Sequence, residues 1–246
     1  MFPIANVVRL RYPPFATWAL IAANCIVFLF EINLSQSQLN QLFWQFALIP
    51  ARYFDPAFVY DARPSLLDYL PFVSNMFLHG GWFHLIVNMW TLWLFGSVVE
   101  DQLGPGRYLL FYFGCGVAAA IAHALFNPTS STPALGASGA IAGVLGCYVR
   151  LFPLSRVIVI VPILFLPLFF EVPALVFVGL WFLIQLLQAA TEMLTASATG
   201  GIAWWAHVGG FLAGIALAGL MQPSRRRHWP RDADIGIPGF ALSGRV

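Results

Sequence analysis

The chain has 246 residues, of which 60% are hydrophobic and 9% charged, against about 25% charged in an ordinary soluble domain. A surface this apolar takes lipid as its solvent, and a formal net charge of +2 is too small for a nucleic-acid partner. The useful unit of length is then the membrane span, about 20 apolar residues for a helix crossing a core about 30 Å thick.

Arg9 and Arg11 precede a first apolar run from about Thr17 to Leu34. No small-residue cleavage site follows it, so residues 1–16 are expected to form a cytoplasmic segment ahead of a retained span. Residues 35–81 form an external loop whose aromatics, among them Phe54, Phe58, Tyr60, Tyr69 and Phe72, suit the membrane interface. Further spans are expected at about 82–99, 107–126, 138–152, 172–190 and 202–221. The apolar segment Val157 to Phe170 is broken by Pro162 and Pro167, with Pro173 following, and is read as a re-entrant or interfacial stretch. The tail 222–246 is rich in Arg, Pro and Gly and is expected to be flexible. Cys25, Cys115 and Cys147 lie in apolar runs without a pairing pattern and read as small buried hydrophobes.

The expected fold class is an all-α membrane protein, one six-helix bundle over residues 17–221. Charge placement agrees with six crossings and an internal N-terminus. Of the twelve basic residues, all Arg, only Arg52 and Arg63 then fall outside, as the positive-inside tendency requires. Both termini are placed on the cytoplasmic side, in the inner (plasma) membrane of a cell.

The fourth helix opens at Gly136-Ala137-Ser138-Gly139 and reaches Arg150 after a rise of only about 18 Å. Its N-terminus must start inside the membrane, behind the Pro- and Ser-containing stretch Asn127 to Pro133. Irregular backbone at that depth needs enclosure by protein or contact with a wet cavity. Counted from their own cytoplasmic ends, Asn88 lies at about 18 Å and His84 and His207 at about 24 Å. Four polar groups thus share a depth at which polar groups are costly and are commonly functional. Small residues permit close approach: Gly139, Gly143 and Gly146 line one face of the fourth helix, and His207, Gly210 and Gly214 one face of the sixth.

A serine hydroxyl becomes a nucleophile when a base accepts its proton, and neutral histidine is the common base near pH 7. Ser138 and His207 fit those roles. The oxyanion formed on attack would meet the backbone N–H groups at the start of the fourth helix, together with His84 and Asn88, which are four residues apart on one helical face. Taken singly, each feature has a plainer reading. Gly-x-Ser-Gly occurs in turns, an intramembrane histidine can be an interhelical donor, and glycine stripes are usually packing. His79 and His84 lack the third ligand that a metal would need.

The arrangement resembles the rhomboid intramembrane serine proteases. The resemblance rests on His79-x4-His84-x3-Asn88, Glu100-Asp101-Gln102-Leu103-Gly104, Gly136-Ala137-Ser138-Gly139, and Ala206-His207-Val208-Gly209-Gly210 with Gly214. It extends over about residues 16–221. It implies a six-helix rhomboid core with a Ser–His dyad and no catalytic Asp. The oxyanion site would include Asn88, His84 and the Ser138 amide. It also implies single-span membrane proteins as substrates, cut at small residues without cofactor or metal, with the loop Thr191 to Gly201 and the fifth helix as cap and gate. Two positions depart from the family: Leu70-Pro71 stands where many members carry Trp-Arg, and Ala142 where some place an aromatic ring on the base. Trp204 and Trp205 are the candidates to fill that second space. A non-cutting membrane chaperone and a channel are the alternatives. The first needs neither Ser138 nor His207, and the second lacks a paired broken helix or an intramembrane carboxylate set.

Overall fold

The computed structural model describes residues 2–55, 65–163, 166–195 and 203–221. The expectations for the 222–246 tail, for Phe58, Tyr60 and Arg63, and for the loop beyond Thr195 fall outside these residues. Strand β1 (Phe2–Asn6) is followed by helix α1 (Phe15–Glu31). Pro14 precedes α1 and supplies no side-chain cap. The carboxylate of Glu100 caps it instead, accepting from the Ala16 and Thr17 amides at 2.9 and 2.7 Å and from the Thr17 hydroxyl at 2.8 Å. Asp101 accepts from the Arg11 and Tyr12 amides at 3.2 and 3.1 Å. Negative charge is thereby set against the positive end of a helix whose first N–H groups have no intrahelical partner.

The loop between α1 and α5 (Trp82–Leu103) is built of short pieces: α2 (Gln36–Phe46), α3 (Ala51–Phe54), a 3-10 turn at Leu66–Tyr69 and α4 (Pro71–Ser74). Ser35 and Gln38 form a reciprocal capping box that starts α2. Pro71 occupies the first turn of α4, where its missing N–H costs nothing. Ser74 Oγ donates to the Phe46 carbonyl at 2.7 Å, and Arg52 to the Trp44 carbonyl at 2.6 Å. Ser74 Oγ also meets the Leu70 carbonyl at 3.1 Å, so the Leu70-Pro71 stretch is tied to the end of α2 through Ser74.

Helix α5 runs unbroken over Trp82–Leu103, past the expected end, with a π turn at Leu92–Gly96. After it come α6 (Pro105–Phe126) and α7 (Ser138–Leu151), then, beyond a β-hairpin, α8 (Ala174–Thr195) and α9 (Trp204–Met221). Helices α5, α6, α8 and α9 are long and apolar enough to cross a membrane, while α1 and α7 are apolar but shorter. Thr191 to Thr195, expected in a loop, is the last turn of α8.

The all-α expectation needs correction at residues 157–170. Arg156–Ile163 (β2) and Leu166–Pro173 (β3) pair antiparallel, and β1 pairs antiparallel with β2, giving a three-stranded sheet in the order β1-β2-β3. The N-terminal segment is thus part of the folded unit. Val157, Ile158, Val159, Ile160 and Val161 form a β-branched run that favours a pleated surface, and Val157 and Val159 turn into the core. The outer edge of β1 is held by α5, since Trp90 Nε1 donates to the Pro3 carbonyl and Asn6 Nδ2 to the Leu94 carbonyl, both at 2.7 Å. β3 passes straight into α8, whose first amide, Ala174 N, donates to the Ser155 carbonyl at 2.7 Å.

Helix α7 is the central post, with every residue from Gly139 to Val149 buried. Its glycine face meets that of α9 backbone to backbone: a Cβ on Gly210 would collide with the Gly139 carbonyl, one on Gly214 with the Gly143 carbonyl, and one on Gly146 with the Phe211 carbonyl. Ala119 and Cys115 of α6 close the other side, 2.6 Å and 2.5 Å from where a Cβ on Gly139 and Gly143 would stand. Cys115 and Cys147 are buried free thiols, and Cys25 is a half-buried one.

Two stability measurements check this account. Gly214→Val meets backbone that cannot retreat and is expected to cost about 3 kcal/mol or more in thermal or denaturant unfolding, whereas Gly179→Ala on α8 meets nothing within 4 Å and should be neutral or stabilising. Glu100→Ala strands two buried amides at the start of α1 and is expected to cost about 2–3 kcal/mol; an unchanged midpoint would remove the cap from the explanation.

Candidate active site

The backbone that delivers Ser138 is irregular from Asn127 to Leu135, and several of its polar groups pair with the loop between α1 and α5. Leu48 and Ala134 exchange both backbone hydrogen bonds, at 3.0 and 2.8 Å. Ala51 N donates to the Ser130 carbonyl at 3.0 Å, and Gly136 N to the Asn75 carbonyl at 2.8 Å. This answers the need for enclosure raised by a non-helical segment leading into a buried helix. Ser138 then begins α7 and is itself half-buried, so its hydroxyl can be reached from one side.

His207 lies in the first turn of α9 and is buried. Because α7 and α9 touch through glycine, the imidazole reaches across: Nε2 is 2.8 Å from Ser138 Oγ. The other ring nitrogen, Nδ1, is 2.7 Å from Oε1 of Gln185 on α8. The two residues expected to meet therefore do so, and a third joins them that the sequence reading did not single out. Its signal was present, since Gln185 is a polar residue within an otherwise apolar span, but nothing in the sequence alone paired it with α9.

His84 and Asn88, four residues apart on α5, converge on the turn before Ser138. A Cβ on Gly136 would stand 2.7 Å from the His84 ring and 3.6 Å from Asn88 Nδ2. Gly136 has φ +121°, a conformation that side-chain-bearing residues rarely adopt. Position 136 thus needs glycine for two independent reasons. Asn88 Nδ2 donates to His79 Nε2 at 3.2 Å, leaving the amide its second N–H. His79 is in turn fixed by its backbone N–H, which donates to the Glu31 carboxylate at 3.2 and 3.3 Å, and its ring stands edge-on to His84 at 5.1 Å. His79 is thus a support for Asn88. Among the described residues no group of three His, Cys, Asp or Glu is placed to hold a metal ion.

Neither expected tryptophan lies flat on the base. Trp204 meets His207 edge-on, with centroids 6.1 Å apart and planes at 87°, while Trp205 turns away to stack on Phe126 at 3.9 Å. Trp181 of α8 flanks His207 at 6.0 Å. Ala142, one turn after Ser138, is fully buried. Trp181 also lines a cavity of about 330 Å³ between α5 and α8, together with Val87, Thr91, Ile184 and, from β1, Phe2 and Pro3.

Residues 67–224 match the Rhomboid domain, well over half the chain, and the protein belongs to the Rhomboid family. Among its relatives is Rhomboid protein 1, mitochondrial, of Saccharomyces cerevisiae, 27% identical over 210 residues that make up 82% of this chain and 55% of that protein. Rhomboid protease GluP of Bacillus subtilis is 43% identical over 74 residues, 30% of this chain and 14% of that one. Presenilin-associated rhomboid-like protein, mitochondrial, of Homo sapiens is 31% identical over 153 residues, 59% of this chain and 36% of that one. The chain spans about half the length of the yeast protein and less of the other two. Family membership makes it a multi-pass integral membrane protein.

Gly136→Ala tests the geometry of the turn directly. The added Cβ both strains the backbone and pushes on the His84 ring, and a loss of about 1–3 kcal/mol in thermal stability is expected. A variant as stable as the wild type would mean that the turn relaxes without cost.

Proposed function

We propose that this protein is an intramembrane serine endopeptidase that cleaves membrane-protein substrates with Ser138 as nucleophile and His207 as general base. The observation that carries the reading is the 2.8 Å separation of His207 Nε2 and Ser138 Oγ, which is hydrogen-bonding reach for proton transfer. In the first half-reaction Oγ attacks the scissile carbonyl carbon as its proton passes to Nε2, and the carbonyl oxygen becomes an oxyanion. Collapse expels the amine, which takes the proton from His207, and leaves an acyl ester on Ser138. Water then attacks the ester with His207 again as base, releasing the new carboxylate and restoring the hydroxyl.

The oxyanion is assigned to the Ser138 amide at the start of α7, the second N–H of Asn88 and the His84 ring. All three lie around the turn at Gly136, and the positive end of α7 reinforces them. The reading needs no cofactor. It counts α1 and the short α7 with the four longer helices as six crossings, with both termini on one side. Helix α7 rises only about 21 Å over its 14 residues, which would place Ser138 below the outer surface of a core about 30 Å thick. Several relatives carry mitochondrial names, which weighs against assigning this chain to the inner plasma membrane.

Cleavage of a single-span model substrate by purified protein in detergent, without metal or nucleotide, tests the proposal. Ser138→Ala and His207→Ala are each expected to abolish it while the protein stays folded, His207→Ala with a lower thermal midpoint because it strands buried Gln185, and Asn88→Ala to slow it about 10- to 100-fold, less than the loss of a lone oxyanion donor because others remain. A serine-directed phosphonate should label Ser138. Substrate binding without cleavage in the wild type would instead make the chain an escort for membrane helices.

A further inference from the structure

Gln185 lies on α8, the least buried of the four long helices. Its neighbours Leu183, Leu186 and Leu187 are exposed, at 48%, 38% and 58%, whereas Gln185 is turned inward and only 7% exposed. A polar side chain inside an apolar span is costly unless something repays its desolvation. Here it is met by His207, whose Nδ1 lies 2.7 Å from Gln185 Oε1.

The amide oxygen can only accept a hydrogen bond, so the proton of that bond belongs to Nδ1. A neutral imidazole carries a single N–H, which leaves Nε2 bare. That is the atom 2.8 Å from Ser138 Oγ. In the opposite tautomer the Nδ1 lone pair would face the glutamine oxygen, two acceptors in contact, and the Nε2–H would point at Ser138 where a base is required. The two short contacts of the ring are therefore one condition on its protonation, set from α8 and read at Ser138.

We infer that Gln185 is the positioning residue of His207, its side-chain carbonyl holding the imidazole in the Nδ1–H tautomer and in the orientation that presents bare Nε2 to Ser138. The inference rests on the Ser138–His207 reading proposed above. A carboxylate at this place would hold the same tautomer and add a full negative charge, at the cost of desolvating that charge among apolar helices. The amide supplies the acceptor without the charge, so the base is oriented with a smaller gain in basicity than a carboxylate would give it.

The test combines a direct reading of the ring with a pair of variants. Nitrogen-15 NMR of the histidine-labelled wild-type protein should show His207 protonated at Nδ1 and bare at Nε2; the reverse assignment overturns the inference without any mutation. Gln185→Leu keeps the volume and removes the acceptor. It is expected to lower kcat about 10- to 100-fold with KM unchanged, a loss smaller than that of removing a charged orienting group. Gln185→Glu keeps an acceptor oxygen and should recover kcat to within about fivefold of the wild type, with the acidic limb of its pH profile moved to higher pH where the carboxyl is ionised, because negative charge stabilises the imidazolium. Phosphonate labelling separates the two levels of failure. If wild-type Ser138 is not labelled, the hydrolase reading falls and this inference with it; if it is labelled and Gln185→Leu is labelled equally fast, only the role of Gln185 falls.

Discussion

The structure depends on one steric condition: α7 and α9 approach until the carbonyls of one touch the α-carbons of the other. In lipid there is no hydrophobic force to press helices together, so their association rests on van der Waals contact and on polar bonds between them. Gly139 against Gly210 and Gly143 against Gly214 supply the first. The Ser138–His207 bond supplies the second at the same end of the same pair. Any side chain at these positions would part the helices, and a bond of 2.8 Å does not survive such a separation. Packing and chemistry at this interface are therefore a single constraint.

A second layer keeps polar groups satisfied where water is scarce. The irregular strand before Ser138 borrows partners from Leu48, Ala51 and Asn75, and Asn88 leans on His79, which leans on Glu31. At the other end of the bundle Glu100 and Asp101 tie the N-terminal segment to α5. The loop between α1 and α5 is thus a wall of the candidate site. Its short helices are held by the Phe46 and Trp44 carbonyls, which accept from Ser74 and Arg52.

Much of this was legible in the sequence because it is written in local terms. The apolar runs located the helices to within a few residues, and the glycine spacing at 139, 143 and 146 against 210 and 214 marked the faces that meet. Ser138 and His207 stood out as polar groups at one depth. Three things were not legible. The apolar segment 157–170 reads as a re-entrant or interfacial stretch because Pro162 and Pro167 break it, and its pairing with Phe2–Asn6 is a contact across more than 150 residues of sequence, which no local pattern encodes. Gln185 reads as one polar residue in an apolar helix until the fold places α8 beside α9. Trp181, on that same helix, flanks His207 beside Trp204, while Trp205 turns away to Phe126, because helix rotation decides which ring faces inward.

The strand that opens the chain has a geometric consequence for the far end of α8. Through β2 and β3, β1 fastens the foot of that helix near Ala174, while Gln185 stands eleven residues up, about 16 Å along a rigid rod. A tilt of about ten degrees at the foot would carry the amide about 3 Å sideways, several times the latitude of a hydrogen bond. The 2.7 Å contact with His207 therefore acts as a vernier on the inclination of α8: it exists over a narrow arc, and the sheet at the base sets where that arc begins.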